Sequence, residues 1–251
     1  MNNLDNHIVL VTGAGSGIGS AIAKRLARDG ARIFLNDIDP EKLNKINTEI
    51  LNLGCAENKV GSMVGDVSSP TDMKLIFQAC LKKFDDLSML VNNAGILQQK
   101  LFTDISVDDW DKMINVHLTG CFLGCHFAVP LFKKRGGGII VNVASQLGQI
   151  GAAELTHYAS AKAGIIGLTK SLAREVSKHK IKVNAVAPGP INTELVLGLS
   201  EDWRNAKAQQ LPLGHFGEPD DVAATVAFLA SDDARIYVGQ TLGPNSGDVM
   251  L

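Results

Sequence analysis

The chain has 251 residues, of which 45% are hydrophobic and 20% charged, with a formal net charge of −2. That composition excludes a disordered or fibrous chain, and the near-neutral charge gives no field that would draw in nucleic acid or an anionic membrane. The opening Met1–His7 shows no signal-peptide pattern, and no apolar run approaches the roughly 18 residues that span a bilayer, so the cytoplasm is the expected compartment.

His7–Thr12 is an apolar run of strand length, and Ile18–Asp29 carries apolar residues at helical spacing. Between them lies Thr12-Gly13-Ala14-Gly15-Ser16-Gly17-Ile18-Gly19. A glycine loop that joins a strand to a helix lets backbone come close to a pyrophosphate, and the helix start offers free N–H groups and the positive end of its dipole. Its spacing is G-x-x-x-G-x-G, not the commoner G-x-G-x-x-G. Gly13, Gly15, Ser16, Gly17, Ile18 and Gly19 are therefore expected to cradle a dinucleotide. Arg32–Asn36 is the next strand, closed by Asp37, 18 residues after Gly19. An acid there accepts hydrogen bonds from the adenosine ribose hydroxyls; its competing reading is an N-cap, a job that Asp39 could equally do.

A mixed charged helix follows over about Pro40–Leu53, then a strand over Val60–Gly65 ending on Asp66-Val67. Asp66 could take the adenine amino group or serve as a plain turn residue. A helix over Thr71–Phe84 and a strand over Ser88–Asn92 continue the alternation. The long helix predicted from Val107 to about Lys133 carries His117, Cys121, Cys125 and His126. The first three share a face, but the outer two stand about 12 Å apart, too far for one zinc with ligands at roughly 2.0–2.3 Å. These residues, and the four cysteines as a set, read as packed side chains, with no metal site and no disulfide framework.

Gly138–Ala144 is a β-branched strand, and Ser145 stands just beyond its end. Within the second long helix, Glu154–His179, Tyr158 and Lys162 are four apart and share a face. A phenol of pKa about 10 is a poor base, and a neighbouring ammonium would bring it toward the working range. Ser145, at a strand end where ligands gather in such sheets, could hydrogen-bond the reacting oxygen. A strand over Ile181–Ala187 leads into Pro188–Gly217, which lacks clear periodicity and reads as a loop with a substrate lid at about 190–215. A helix over Asp220–Ser231 and a strand near Tyr237–Leu242 complete the chain. The strict β-α alternation predicts one domain over 1–251, a Rossmann-like, doubly wound parallel sheet with helices on both faces.

From end to end the chain resembles a short-chain dehydrogenase/reductase. The matching elements are Thr12–Gly19, Asp66-Val67, N-N-A-G at Asn92–Gly95, Asn115, Ser145, Y-A-S-A-K at Tyr158–Lys162, and Pro188-Gly189 followed by Thr193. The resemblance implies that Tyr158 is the general acid/base, that Ser145 orients the substrate oxygen, and that Lys162 holds the nicotinamide ribose and tunes Tyr158. It implies that Asn115 holds a water linking Lys162 to solvent; from the residues alone, Asn115 is a mid-helix asparagine with no purpose. It implies that Asn92 and Gly95 stabilise the sheet and line the cofactor cleft, with Asn93, Ala94, Pro188 and Gly189 alongside the cofactor. Ile191 and Thr193 would contact the nicotinamide carboxamide. The tail Gly243-Pro244-Asn245-Ser246-Gly247-Asp248 departs from the double glycine common in relatives, in a region near the substrate mouth or a subunit contact.

The expected activity is hydride transfer between NAD(H) and a secondary alcohol or ketone. The rivals are a 3-oxoacyl-thioester reductase using NADPH and a cofactor-binding protein without turnover. Asp37 would repel the extra phosphate of NADP by about 4 kcal/mol per charge pair at 4 Å and an effective dielectric near 20. With Lys42 placed in solvent and Ser16 neutral, the sequence predicts a preference for NAD of at least about a hundredfold, which needs roughly 2.8 kcal/mol. Substrate contacts are expected from Leu97, Gln146, Leu147, Leu155, Ile191, Leu195, Val196, Leu199 and Trp203. Leu118–Phe132 is apolar on more than one face, which predicts partner helices and, with the resemblance, a homotetramer.

Overall fold

Runs of Val, Ile and Leu without alternating polar residues suit strands covered on both faces. The computed structural model describes residues 4–251, apart from the side chain of Leu195. Its strands are β1 (Ile8–Thr12), β2 (Arg32–Asp37), β3 (Val60–Val64), β4 (Met89–Asn92), β5 (Gly138–Val143), β6 (Ile181–Val186) and β7 (Thr241–Leu242). They form one sheet in the order β3-β2-β1-β4-β5-β6-β7, with every pairing parallel. The chain winds outward from β1 to β3, then returns to β4. Loops leaving the carboxyl ends of β1 and β4 diverge, and a ligand crevice opens between them.

The helices are α1 (Gly17–Arg28), α2 (Pro40–Asn52), α3 (Pro70–Phe84), α4 (Val107–Ile114), α5 (Gly120–Arg135), α6 (Leu147–Ile150), α7 (Thr156–Val176), α8 (Glu194–Leu197), α9 (Glu201–Gln210) and α10 (Pro219–Ala230). Alternation along the strands divides the core in two. Val9 and Val11 of β1 join Ile22 of α1, Ile46 of α2 and Val226 of α10. Ile8 and Leu10 join Ile76 of α3, Phe132 of α5 and Ile165 of α7 on the other face. The doubly wound sheet is the one that the alternation predicts.

Three features differ from the sequence reading. The helix from Val107 is continuous to Arg135, but Asn115–Thr119 within it is a π-helical turn. This 29-residue helix contains a window of mean hydropathy 1.3, so it is long and apolar enough to cross a membrane by length and composition. The expectation that nothing approaches that length therefore holds only for uninterrupted apolar runs. Here the helix buries Cys121, Cys125 and Phe132 in the core. Pro188–Gly217 is not all loop. It contains α8 and α9, and α9 starts at Ser200, whose side chain accepts from Trp203 N at 3.3 Å. No residue of α9 is buried, so its sequence carries no apolar period to read. The last strand is only Thr241–Leu242, because Gly239 turns the chain at φ +68°. Asn184 clamps the turn instead, donating to Tyr237 O at 2.8 Å and accepting from Gln240 N at 2.9 Å.

The segment carrying α8 and α9 leaves and rejoins the body at one point. Asn192 N donates to Gly217 O at 2.9 Å, and Gly217 N to Pro190 O at 3.0 Å.

Candidate active site

Above the carboxyl ends of the strands lies a cleft of about 1410 Å³. A pocket for one small molecule measures about 300–1,000 Å³, so this one has room for a dinucleotide and a second ligand. Of the predicted cofactor and catalytic residues, only Gly15 and Asn92 are absent from its wall.

At one end the wall is the glycine loop. Thr12 Oγ1 accepts from Asn93 N at 3.0 Å and Ala94 N at 3.2 Å, while the Asn93 amide donates to Thr12 O and Gly13 O, both at 3.0 Å. Gly13 sits at φ +61°, and a Cβ there would stand 2.6 Å from Ala94 Cα. The N-cap of α1, Ser16, makes no side-chain capping bond, and no acidic residue occupies the first turn. The first N–H groups of α1 thus remain available to an anion, and the loop fits a pyrophosphate. Asn92, which the resemblance places on the cleft, faces the other way. Its amide donates to Asn142 Oδ1 at 2.9 Å inside the core. Adjacent residues at a strand end project to opposite sides, and Asn93 is the one that ties the loop to β4.

Asp37 lines the cleft at the end of β2. Its Oδ2 accepts from Gly15 N at 2.8 Å and its Oδ1 from Asp39 N at 3.0 Å, so it also tethers the glycine loop. Each oxygen retains a lone pair for a ribose hydroxyl. Asp39 is the N-cap of α2, accepting from Glu41 N and Lys42 N. Lys42 is exposed, as expected, but its stem stands at the cleft. It lines the cleft, and its Cβ would stand 2.7 Å from a Cβ on Gly15, beside the Asp37 carboxylate. Being on the first turn of α2, directly behind the N-cap, it is brought back over the loop. Asp66 lines the cleft, but its Oδ1 accepts from Ser68 N at 2.8 Å and Ser68 Oγ at 2.7 Å, as a turn aspartate does.

In the middle of the cleft, Ser145, Tyr158, Lys162 and Asn115 come together from β5, α7 and the π-turn. Burial pushes the Tyr158 phenol above its ordinary range, and a hydrogen bond with Ser145 opposes that rise. Burial also lowers Lys162 to about 8. The Lys162 ammonium donates to Val143 O at 2.7 Å and lies over the Tyr158 ring, 5.6 Å from its centroid. In the resting site the phenol is thus raised, with burial the largest cause. Asn115 Oδ1 accepts from Thr119 Oγ1 at 3.3 Å, across the π-turn. Such turns are frequent at functional sites because they shift one side chain out of helical register.

His117 was not foreseen here. It is buried edge-on to Tyr158, with ring centroids 5.3 Å apart, and its Nε2 lies 2.8 Å from Ile96 O. Burial lowers it to about 3, so it is a neutral wall behind the phenol. Its two-residue offset from Asn115 is the only sign the sequence gives. Cys121 and Cys125 lie in the core with Asn92, and no group able to hold a metal ion occurs among the described residues.

At the far end, all the predicted substrate contacts with described side chains line the cleft; Leu195 lies outside the described residues. Three polar side chains join them. Gln146 is an expected contact, Asp248 belongs to the tail expected near the substrate mouth or a subunit contact, and Lys207 of α9 is unforeseen. The tail reaches the cleft because Pro244 O accepts from Gly189 N at 3.1 Å and Gly247 N donates to Asn245 Oδ1 at 3.0 Å.

Comparison with known proteins agrees with this geometry. Residues 13–247 match the family described as enoyl-(acyl carrier protein) reductase. A 3-oxoacyl-[acyl-carrier-protein] reductase of Thermotoga maritima is 39% identical over 247 residues, 98% of this chain and 99% of the relative. A cyclohexanol dehydrogenase of an Acinetobacter species is 39% identical over 240 residues, 95% and 93% of the two chains. Among solved structures, a short-chain dehydrogenase/reductase titled glucose/ribitol dehydrogenase, from Brucella melitensis, superposes with TM-score 0.94 at 32% identity, covering 100% and 99% of the chains. Levodione reductase does so with TM-score 0.93 at 33% identity, covering 97% and 98%.

Proposed function

The chain belongs to the short-chain dehydrogenase/reductase family, and we propose that it interconverts a secondary alcohol and a ketone with NAD(H). The observation that carries this reading is the meeting of Ser145, Tyr158 and Lys162 in the middle of a cleft with an uncapped helix start at one end and mostly apolar walls at the other. A bound nicotinamide dinucleotide supplies or accepts the hydride. The glycine loop and the start of α1 hold its phosphates, and Asp37 its adenosine ribose. Ser145 holds the substrate oxygen. Tyr158, kept as the neutral phenol by burial, gives that oxygen its proton in ketone reduction and takes it back in alcohol oxidation. Lys162, next to Tyr158, supplies the positive charge that favours the phenolate when the proton leaves. The apolar substrate wall suits a small or medium hydrophobic alcohol.

Asp37 favours NAD over NADP. Lys42 offsets part of the repulsion, so the margin is smaller than Asp37 alone would give. That same lysine favours a second reading, reduction of a 3-oxoacyl thioester with NADPH, and so does the name of the Thermotoga relative. The two are separated by kcat/KM with NADH and NADPH, against cyclohexanone and an acetoacetyl thioester. Higher values with NADH and the simple ketone support the first reading, and the reverse pattern replaces it.

We also propose a cytoplasmic homotetramer. Phe122 on α5 is 49% exposed and Trp110 on α4 37%, on the helix that is apolar on more than one side. Light scattering should return about four times the 26.7 kDa chain mass. A monomer mass at micromolar concentration excludes the assembly.

A further inference from the structure

Three side chains from distant segments meet at the substrate end. Gln146 directly follows Ser145, Lys207 lies on α9, and Asp248 belongs to the tail. Gln146 Nε2 donates to Asp248 Oδ2 at 2.5 Å, across 102 positions of sequence. Lys207 Nζ lies 2.9 Å from Asp248 Oδ1 and 2.8 Å from Oδ2. The Asp248 side chain is 11% exposed and that of Lys207 24%, and both line the cleft. Gln146 is 4% exposed, and its Oε1 is buried with no donor among the described residues. Taking two charges out of water costs several kcal/mol per ion before their attraction is counted. The neighbouring wall, Leu199 and Trp203 among it, is apolar, and an apolar group at these positions would close the pocket without that cost.

We propose that Lys207 and Asp248 form a subsite for a hydroxyl group, so that the preferred substrate is a hydroxyketone or the corresponding diol. This rests on the ketone–alcohol reading above and names its substrate class. The reasoning is one of charge and valence. An ammonium has three N–H donors and a carboxylate about four acceptor positions, so each keeps capacity after pairing. The pair is neutral as a whole. An anionic substituent would face Asp248 at contact distance, and a cationic one would face Lys207. A second carbonyl can accept from Lys207 but offers nothing to Asp248. A hydroxyl accepts from one and donates to the other. The tail turn that fixes Asp248 is itself hydrogen-bonded, through Asn245 to Val249 O and to Gly247 N, so the subsite is built before the substrate arrives.

The same three residues could instead act only as a latch that holds α9 down. The two roles differ in what they discriminate. The test is kcat/KM for two matched pairs, butan-2-one with 3-hydroxybutan-2-one and cyclohexanone with 2-hydroxycyclohexanone, in wild type, Lys207→Met and Asp248→Asn. Because hydroxyketones are intrinsically more reactive, the readout is the change in each ratio between enzymes. The hydroxyketone-to-ketone ratio should fall tenfold or more in Lys207→Met and at least threefold in Asp248→Asn. A ratio that stays constant, whether or not both rates drop together, overturns the proposal. A second arm does not need turnover. The Kd of butane-2,3-diol for the enzyme with NADH bound, a complex that cannot react, followed by fluorescence of the reduced cofactor, should be tenfold weaker in Lys207→Met. Equal Kd values, or no binding to wild type, overturn the subsite. Binding that weakens in the variant while no ketone is reduced keeps the subsite and removes the ketone–alcohol reading.

Discussion

At the cofactor end of the cleft the wall is largely backbone: glycines, the open start of α1, and a loop clamped by Asn93 and Thr12. At the substrate end it is largely side chains, carried by the short helices α8 and α9 and by the tail. Backbone has few ways to be arranged, and the residues that permit a given arrangement are few. Side chains on short surface helices can be exchanged without moving the sheet. The first end is suited to a ligand that never changes and the second to one that does.

If the two ends are separable, chemistry can be removed without disturbing either. Tyr158→Phe should lower turnover by about 10²–10⁴-fold while leaving cofactor affinity nearly intact. A folded variant that keeps a tenth of the wild-type rate excludes Tyr158 as the proton carrier, and a parallel loss of NAD affinity would show that the ends are coupled.

Asp37→Ala probes the cofactor end alone. It should shrink the preference for NAD over NADP by tenfold or more, a change of about 1.4 kcal/mol or greater, and leave the order of preference among ketones unchanged. Because Asp37 also holds Gly15 N, NAD binding itself should weaken. Equal cofactor selectivity in wild type and variant would show that the carboxylate serves only the loop.

Trp203→Ala is the counterpart at the other end. Trp203 meets Phe216 edge-to-face with centroids 6.3 Å apart. Losing such a contact, worth about 1 kcal/mol, should raise KM for a bulky ketone about fivefold without altering the Kd of NADH. A matching shift in that Kd would break the division.

The smallest effect concerns stability. Lys162 is lowered from 10.5 to about 8 in the folded protein. Between those values the unfolded chain binds more protons than the folded one, so stability rises with pH across that window. Below it, the fold carries the cost of a buried charge. The Tm of wild type minus that of Lys162→Met should therefore rise by roughly a few degrees from pH 7.5 to 10. Taking the difference removes the buried thiols, such as Cys80, whose pushed-up values act in the opposite sense. A flat difference curve excludes a lowered Lys162.

What could be read in the sequence follows the same division. The glycine loop, Asp37 and the Tyr158–Lys162 spacing were legible as neighbours of one cleft because each is a local pattern at a strand end or on one helix face. Which of Asn92 and Asn93 would face the loop was not, since one residue of register decides it. Lys42 was read as a solvent residue, and it is exposed; that its stem also borders the cleft depends on how the first turn of α2 packs beside Gly15. The helix α9 was missed because it buries nothing. Gln146, Lys207 and Asp248 leave no trace of their meeting, since no periodicity joins residues brought together only by tertiary structure.

The clasp between Pro190–Asn192 and Gly217 has a further consequence. It brings the two ends of a segment of some two dozen residues side by side, so the segment is attached to the sheet as a closed appendage. Closure entropy grows only with the logarithm of length, and doubling such a loop costs about 0.6 kcal/mol. The appendage can therefore be lengthened, shortened or exchanged at small thermodynamic cost while β6 and α10 stay where they are. Seen this way, it is a replaceable cassette. New substrate ranges can be grafted between Thr193 and Gly217, with Thr193 kept for the cofactor and the hydride-transfer chassis left untouched, provided that the graft keeps the hydrogen bonds that join its ends.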